Sequence, residues 1–431
     1  MTGSEALAYI HSVSWLGSKP GLSRTRALLA AIGDPQDTLR FVHVAGTNGK
    51  GSTCAMTERI LREAGYRTGL YTSPYITHFS ERMQVCGKPI PEETFAALVE
   101  ELRPYAEAME DTPTEFELVT ALAFTFFARE HCHIVVLECG MGGELDSTNV
   151  IRVPECAALC TIGLDHMEYL GSTLPEIART KAGILKDGGT CVTYPAVPEV
   201  EALYEAVAKE RHLDRHRADF SRLHPISHSL EGQSFLFDGF GRLNLSLLGK
   251  NQLHNAAMAL TIVECLRAKG WTIPQSAVEA GLSLVEWPGR FEVLGRSPTV
   301  LADGGHNPEC LLALRENLLT YVPGMDLVAI VGVMADKDYR AMFLPVLPLI
   351  RRWIAVTPDN PRALPADRLA ETLGSFGADA VACENIAQGV TLAKRLCRKD
   401  GGIVCFGSLY LLGELRQRFG AESDFSPLNP S

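Results

Sequence analysis

The sequence predicts an α/β protein of two domains, each organised on a mostly parallel sheet, and three observations lead to that expectation. Apolar runs of β type alternate with segments of helical period along much of the chain. One such run, Phe41 to Ala45, feeds a glycine-rich turn and then a helix, the order of a ligand-binding strand–loop–helix unit. The 431 residues are also long for a single hydrophobic core.

Composition sets the outer bounds. Hydrophobic residues make up 46% and charged residues 21%, ordinary for a globular protein. No apolar run approaches membrane-spanning length. Met1 to Leu16 lacks the basic segment, apolar core and cleavage site of a secretory leader, so a cytoplasmic protein without a membrane partner is expected. A net charge of −11 argues against a general nucleic-acid binder and means that anionic substrates need local positive charge or metal ions. The 12 cysteines are scattered with no CxxC pair, which indicates neither a zinc module nor a dense disulfide framework. Reduced, mostly buried thiols are expected. The spacing of His131, Cys132 and His133 fits none of the usual metal patterns.

In chain order, Ser4 to Gly33 reads as largely helical, broken at Gly17-Ser18-Lys19-Pro20-Gly21-Leu22-Ser23-Arg24. The strand at Phe41 then leads into Gly46-Thr47-Asn48-Gly49-Lys50-Gly51-Ser52-Thr53. Met56, Ile60, Leu61 and Ala64 follow at helical spacing until Gly65 stops the helix. Such a turn aims consecutive backbone N–H groups and a helix N-terminus at one anion, and Lys50 adds a mobile cation suited to β- and γ-phosphates. A nucleoside triphosphate is the natural guest. The usual GxxxxGK[ST] pattern is not met, because Val44 stands where its first Gly belongs and Gly51 follows the Lys.

The turn resembles instead the GTNGKG[ST] motif of the ATP-dependent amino-acid ligases that include folylpolyglutamate synthase, dihydrofolate synthase and the Mur ligases of peptidoglycan synthesis. The resemblance makes Gly46, Thr47, Asn48, Gly49, Lys50, Gly51 and Ser52 the expected ATP-binding loop. In the folate branch a Gly-Leu segment before this loop touches the pterin, which makes Gly21 and Leu22 candidates there.

The later segments keep the same order. Thr72-Ser73-Pro74-Tyr75 with Ser80-Glu81-Arg82 is similar to the family's TSPHL…ER, where the Ser lies near a magnesium ion, and Tyr75 stands where His is usual. Thr114 is suited to cap a helix through Glu117, and the resemblance adds a contact with the pteroate substrate. The run Ile134 to Leu137 is apolar throughout, as a parallel strand covered on both faces should be, and ends in Glu138. A carboxylate at that end of a strand sits on the ligand-binding edge, so Glu138 is the leading magnesium ligand. Gly143 to Asn149 resembles GGRLDATN, with Glu144 in place of Arg; Leu145, Asp146 and Ser147 align with positions that contact dihydropteroate.

A strand over Ala157 to Ile162 ends in Leu164-Asp165-His166, similar to LDHxxxLG, whose His is a second metal ligand. Ile177 to Ile184 resembles I-A-x-x-K-A-G-I, whose Lys is typically carbamylated to a metal-binding carboxylate; an unmodified Lys181 would bind phosphate instead. Pro195 to Asn244 mixes helix-like and hairpin-like patterns with several surface histidines. Gly249 to Ala257 resembles G-x-x-Q-x-x-N-A-A-A, which gives Asn255 an ATP contact. Trp287-Pro288-Gly289-Arg290 follows at the expected domain junction, and a permanently charged guanidinium there suits a γ-phosphate in transfer. Strand-like runs at Thr299, Leu327 to Val333, Trp353 to Val356 and Ile403 to Phe406 predict the second domain, in which Asp303 would bind the nucleotide ribose with His306 nearby.

The expected whole is a P-loop-type, mostly parallel ATPase domain over residues 1–290 followed by a smaller Rossmann-like glutamate ligase domain over 296–431. Lys50, His166, Lys181 and Arg290 are the candidate catalytic residues, and Ser73, Glu138 and His166 the candidate metal ligands for one or two Mg²⁺. The resemblance implies ligation of L-glutamate to dihydropteroate or reduced folates by a protein that works as a monomer. Ser73-Pro74, Leu145-Asp146 and Trp287 to Arg290 fit the folate pattern better than the alternative, a Mur-type ligase acting on a nucleotide-linked cell-wall precursor.

Overall fold

The computed structural model describes residues 1–13, 21–337 and 339–420. The expected turn at Gly17 lies outside them; the helices on either side, Gly3–Ser12 and Ser23–Ala31, are present. The chain divides into two compact units. The first comprises Met1–Pro225, Phe235–Asn244 and Leu253–Val285; the second comprises Ile226–Ser234, Leu245–Gln252 and the chain from Glu286 onward.

The first unit is built on β1 (Phe41–Ala45), β2 (Thr68–Tyr71), β3 (Met83–Val85), β4 (Lys88–Pro89), β5 (Ile134–Glu138), β6 (Cys156–Leu159), β7 (Thr190–Thr193) and β8 (Asp214–Arg217). They form one sheet in the order β4-β3-β2-β5-β1-β6-β7-β8. Across β2-β5-β1-β6-β7-β8 every pairing is parallel, and the β2–β3 and β3–β4 pairings at one edge are antiparallel. All five residues of β1 and of β5 are buried, which is why these strands read as unbroken apolar runs rather than alternating ones. The sheet's apolar side chains continue into a cluster with Phe95, Leu98, Leu102, Leu118, Leu122 and Phe124 from the helices Glu92–Glu107 and Glu115–Arg129. The second of these helices starts where Thr114 caps it. The Thr114 hydroxyl accepts from the Glu117 N–H at 3.3 Å, and the Glu117 carboxylate accepts from the Thr114 N–H at 2.7 Å.

The segment that read as mixed resolves into a helix, Pro198–Glu210, then β8 and a three-stranded sheet of β9 (Leu223–Ser229), β10 (Gly232–Phe237) and β11 (Gly241–Leu245) in the order β11-β10-β9. His216 and His224 lie partly exposed beside Asp214 and Asp238, as surface histidines should. Among the described residues no group of three or more His, Cys, Asp or Glu is placed to hold a metal, and no helix is long and apolar enough to cross a membrane. The cysteines are free thiols, eight of the 12 buried.

The second unit carries β12 (Glu292–Arg296), β13 (Thr299–Asp303), β14 (Leu327–Val331), β15 (Ile350–Ala355), β16 (Ala380–Ala382) and β17 (Gly402–Phe406), ordered β12-β13-β17-β14-β15-β16. Only β12 runs antiparallel. Phe343, Trp353 and Phe406 meet edge-on at its centre, with ring centroids 5.6 to 6.0 Å apart.

Candidate active site

Strand register places the first group of candidates. Val44 of β1 pairs with Glu138 of β5 on one side and with Ala158 of β6 on the other, so all three strands end at one level. The loops leaving them carry the glycine turn, the Gly140 to Asn149 segment and His166, on the edge where parallel sheets bind ligands.

The glycine turn is held from beneath. The Thr47 N–H donates to the Thr161 carbonyl at 2.6 Å, the Asn48 N–H to the Thr161 hydroxyl at 3.2 Å, and the Gly163 N–H to the Thr47 hydroxyl at 3.0 Å. Thr161 and Gly163 lie past the end of β6; the strand stops at Leu159 instead of running to Ile162 because these residues turn to grip the loop. Two glycines are required by shape. A Cβ on Gly46, at φ 151°, would fall 2.6 Å from the Cys160 Cβ, and one on Gly49, at φ 85°, would fall 2.5 Å from Asn255 Oδ1. Asn255, buried on the helix Lys250–Ala268, thus touches the turn it was expected to serve.

Beyond the turn the helix Lys50–Glu63 opens, and its first intrahelical donor is the Thr53 N–H to the Gly49 carbonyl. The amides before it have no carbonyl one turn back, which gives the turn its anion-binding character. Lys50 Nζ donates to the Thr47 carbonyl at 3.2 Å and lies 3.9 Å from Glu138 Oε1. The other oxygen of Glu138 accepts from the Ser73 N–H at 3.2 Å, so Ser73, Glu138 and Lys50 form one contiguous group. Glu138 is 4% exposed. A cradle that any Cβ would fill, a cation and a buried hard-oxygen donor together fit a magnesium–nucleotide complex.

Lys181 joins the group from the helix Leu174–Lys181: its Nζ donates to the Gly46 carbonyl at 2.9 Å. Burial, reinforced by the charge of Lys50, pushes its pKa down to about 7. His166 lies on the loop after β6 at the start of the short helix Met167–Leu170, with φ 51° and its side chain 47% exposed. Its Nε2 is 3.9 Å from Asp165.

The expected acceptor residues fall into two sets. Leu145, half exposed, and the buried Asp146 and Ser147 belong to the loop after β5. Asp146 is bound by that loop: its carboxylate accepts from the Met141 N–H at 2.8 Å, the Thr148 N–H at 3.0 Å and the Thr148 hydroxyl at 2.5 Å. Burial raises its pKa, and these donors pull it back. Gly21 and Leu22 lead into the helix Ser23–Ala31, and the Arg24 guanidinium grips Glu117 through Nε at 3.0 and 3.2 Å and Asp111 at 3.1 Å. Since Glu117 also closes the Thr114 cap, one buried ion pair ties Gly21, Leu22 and Thr114 together. The sequence reading missed this arginine because Arg24 reads as part of the break between two helices; the Glu117 charge inside an apolar helix was the visible signal.

In the second unit, Arg290 and Asp303 lie where the chain entering β12 meets the end of β13, the Gly304 N–H donating to the Gly289 carbonyl at 2.8 Å. Asp303 accepts from the Phe291 N–H at 3.0 Å and the Gly305 N–H at 2.7 Å, and Phe291 takes φ 48°. Burial raises the pKa of Asp303, and the Arg290 charge opposes it. A Cβ on Gly304 would lie 2.9 Å from Arg290 Nη1, so the guanidinium passes directly over that glycine. His306 donates from Nδ1 to the Gly304 carbonyl at 3.0 Å.

Comparison with known proteins agrees in both sequence and structure. The Mur ligase middle domain matches residues 44–263, and the Mur ligase glutamate ligase domain matches residues 289–409. Dihydrofolate synthase/folylpolyglutamate synthase of Bacillus subtilis is 36% identical over 96% of this chain and 98% of its own. Mycobacterium tuberculosis folylpolyglutamate synthase, solved with ADP and AMPPCP, superimposes with a TM-score of 0.89 at 31% identity, over 97% of this chain and 99% of that one. Escherichia coli FolC in complex with DHPP and ADP gives a TM-score of 0.86 at 27% identity, over 98% of this chain and 98% of that one. The chain, with its GTNGKGS turn and its two α/β units, belongs to the dihydrofolate synthase/folylpolyglutamate synthase family of Mur ligases.

Proposed function

We propose that this protein is an ATP-dependent ligase that joins L-glutamate to dihydropteroate, to reduced folates, or to both, in folate biosynthesis and polyglutamylation. The observation that carries the reading is the pairing of Val44 with Glu138, which sets a buried carboxylate beside a glycine turn bearing Lys50. In the reaction the acceptor carboxylate attacks the γ-phosphorus of ATP and ADP leaves; the glutamate amine then attacks the acyl phosphate and phosphate leaves.

The first step brings two anions together. Lys50 and the amides of Gly49 to Ser52 offset that repulsion and hold the phosphates, with Gly46, Thr47, Asn48 and Asn255 shaping the loop. Arg290 is the candidate for a second cation on the transferring phosphoryl group, and Asp303 and His306 for the nucleoside. Glu138, the Ser73 hydroxyl and His166 would hold magnesium, which when bound supplies positive charge to the phosphates. Gly21, Leu22, Thr114, Leu145, Asp146 and Ser147 would receive the acceptor acid. A neutral amine is the form that adds carbon dioxide, and a pKa of about 7 gives Lys181 a substantial neutral fraction for the carbamate its motif implies. The protein is proposed to act as a cytoplasmic monomer.

The test is ADP release with Mg-ATP and L-glutamate, comparing dihydropteroate, tetrahydrofolate and no acceptor. Release that requires both glutamate and dihydropteroate is expected, and an equal response to tetrahydrofolate would make the enzyme bifunctional. ATP binding without release on either acceptor would overturn the proposal.

A further inference from the structure

His43 sits in the middle of β1 with no exposed surface, flanked by Val42 and Val44, where an apolar residue would serve packing alone. Its surroundings are polar on one side only. Nε2 is 2.9 Å from the Thr148 hydroxyl and 3.1 Å from Cys139 Sγ, while Nδ1 is buried without a hydrogen-bond partner among the described residues. The Thr148 hydroxyl lies 2.5 Å from Asp146 Oδ1. The hydroxyl donates to that oxygen, a far shorter contact than its 3.5 Å approach to Cys139 Sγ, so the single Thr148 proton is committed to Asp146. The Thr148 oxygen then accepts from His43, which fixes the imidazole as the Nε2–H tautomer. The result is one directional chain, from His43 to Thr148 to Asp146.

The chain joins two parts of the site. His43 is three residues ahead of Gly46, in the strand that ends in the nucleotide turn. Asp146 closes the loop after β5 on itself through the Met141 and Thr148 amides, and that loop carries Leu145 and Ser147. We infer that His43 is a positioning residue for the acceptor loop, acting through Thr148 to hold Asp146, and that it sets affinity for the pteridine-bearing acid rather than for ATP. The inference rests on the acceptor role proposed above for this loop.

Three substitutions separate this role from packing. In His43→Gln the amide nitrogen falls where Nε2 stands and keeps the donor. In His43→Asn it falls at the Nδ1 position and loses it, and His43→Leu has no donor at all. The Asn and Leu variants are expected to raise KM for dihydropteroate about tenfold, with KM for ATP within about twofold, while the Gln variant stays within about threefold of wild type on both. Amide exchange in the peptide spanning residues 139–150 should quicken about tenfold in the Asn and Leu variants but not in the Gln variant. A ratio of the two KM values that is the same in all four proteins, or exchange unchanged in the Asn variant, would overturn the inference. Should His43→Leu fail to fold, the Gln and Asn pair still decides. If the wild type released no ADP with dihydropteroate, the proposed function would fail, and exchange alone would decide whether His43 holds the loop.

Discussion

Acid should destabilise this protein through one buried histidine, and the size of the effect can be worked out. Burial, with a smaller contribution from Lys186, pushes the His43 pKa down from 6.5 to about 3. Its folded value is therefore below its unfolded one, and between those two values the unfolded chain binds the extra proton. Stability contributed by the neutral ring is full above pH 6.5 and is lost progressively as pH falls toward 3. At pH 5, about 1.5 units below the unfolded pKa and well above the folded one, protonation of the unfolded ring costs the folded state about 2 kcal/mol of stability. His43→Gln keeps the hydrogen bond to Thr148 and removes the titration. Urea unfolding of both proteins at pH 7 and pH 5 isolates the difference, since every other group cancels. The wild type should lose about 2 kcal/mol more than the variant between these conditions. Parallel losses within about 0.5 kcal/mol would show that the ring is protonated in the folded state or open to solvent, and the buried-neutral account would be wrong.

Other expectations follow from the same geometry. Gly49→Ala should raise KM for ATP by at least about tenfold, because positive φ and the contact with Asn255 both oppose a methyl group; an unchanged nucleotide affinity by calorimetry would refute the cradle. Glu138→Gln should shift the magnesium dependence of ADP release to concentrations about tenfold higher, and an unmoved magnesium curve would remove Glu138 from the proposed ligands. Arg290→Ala should lower turnover by more than about tenfold, whereas a loss within about threefold would exclude a role on the transferring phosphoryl group. Lys181 should give a carbamate carbon signal in NMR after exposure to ¹³C-bicarbonate that is missing in Lys181→Met; spectra without that difference would mean that the amine stays unmodified.

The central strands of the two large sheets were legible because buried parallel strands are written as unbroken apolar runs, as in Ile134 to Leu137 and Leu327 to Val331, whereas short or exposed strands such as β4 and β8 carry no such run. The turn at Gly46 was equally plain, since glycines, a lysine and a following helix coincide there. What escaped the sequence were partnerships between distant residues. Thr161 reads as the end of a strand, and only the folded sheet turns it toward Thr47. Arg24 reads as part of an interhelical turn, and its pairing with Glu117 depends on how two helices cross. His43 passed as one member of an apolar run, yet an ionisable ring inside such a run was the visible sign that the strand carries more than packing. Asp146 was read by motif as a substrate contact, and the structure adds that its oxygens already serve its own loop.

Strand order also decides when the molecule can fold. β1 does not pair with β2, the next strand made; its neighbours are β5 and β6, which begin about 90 residues or more after it ends. At ribosomal speed that interval lasts about 5–20 s, during which the nucleotide turn has no framework and both edges of an apolar strand stand open. The second unit repeats the pattern: β17, its last strand, inserts between β13 and β14, made about 100 and 70 residues earlier. In each unit a central pairing thus waits for a later strand, β5 between β2 and β1 in the first and β17 between β13 and β14 in the second, a high-contact-order route that is slow and exposed to aggregation. A newly made chain therefore carries unpaired apolar strands for seconds before it can hold ATP.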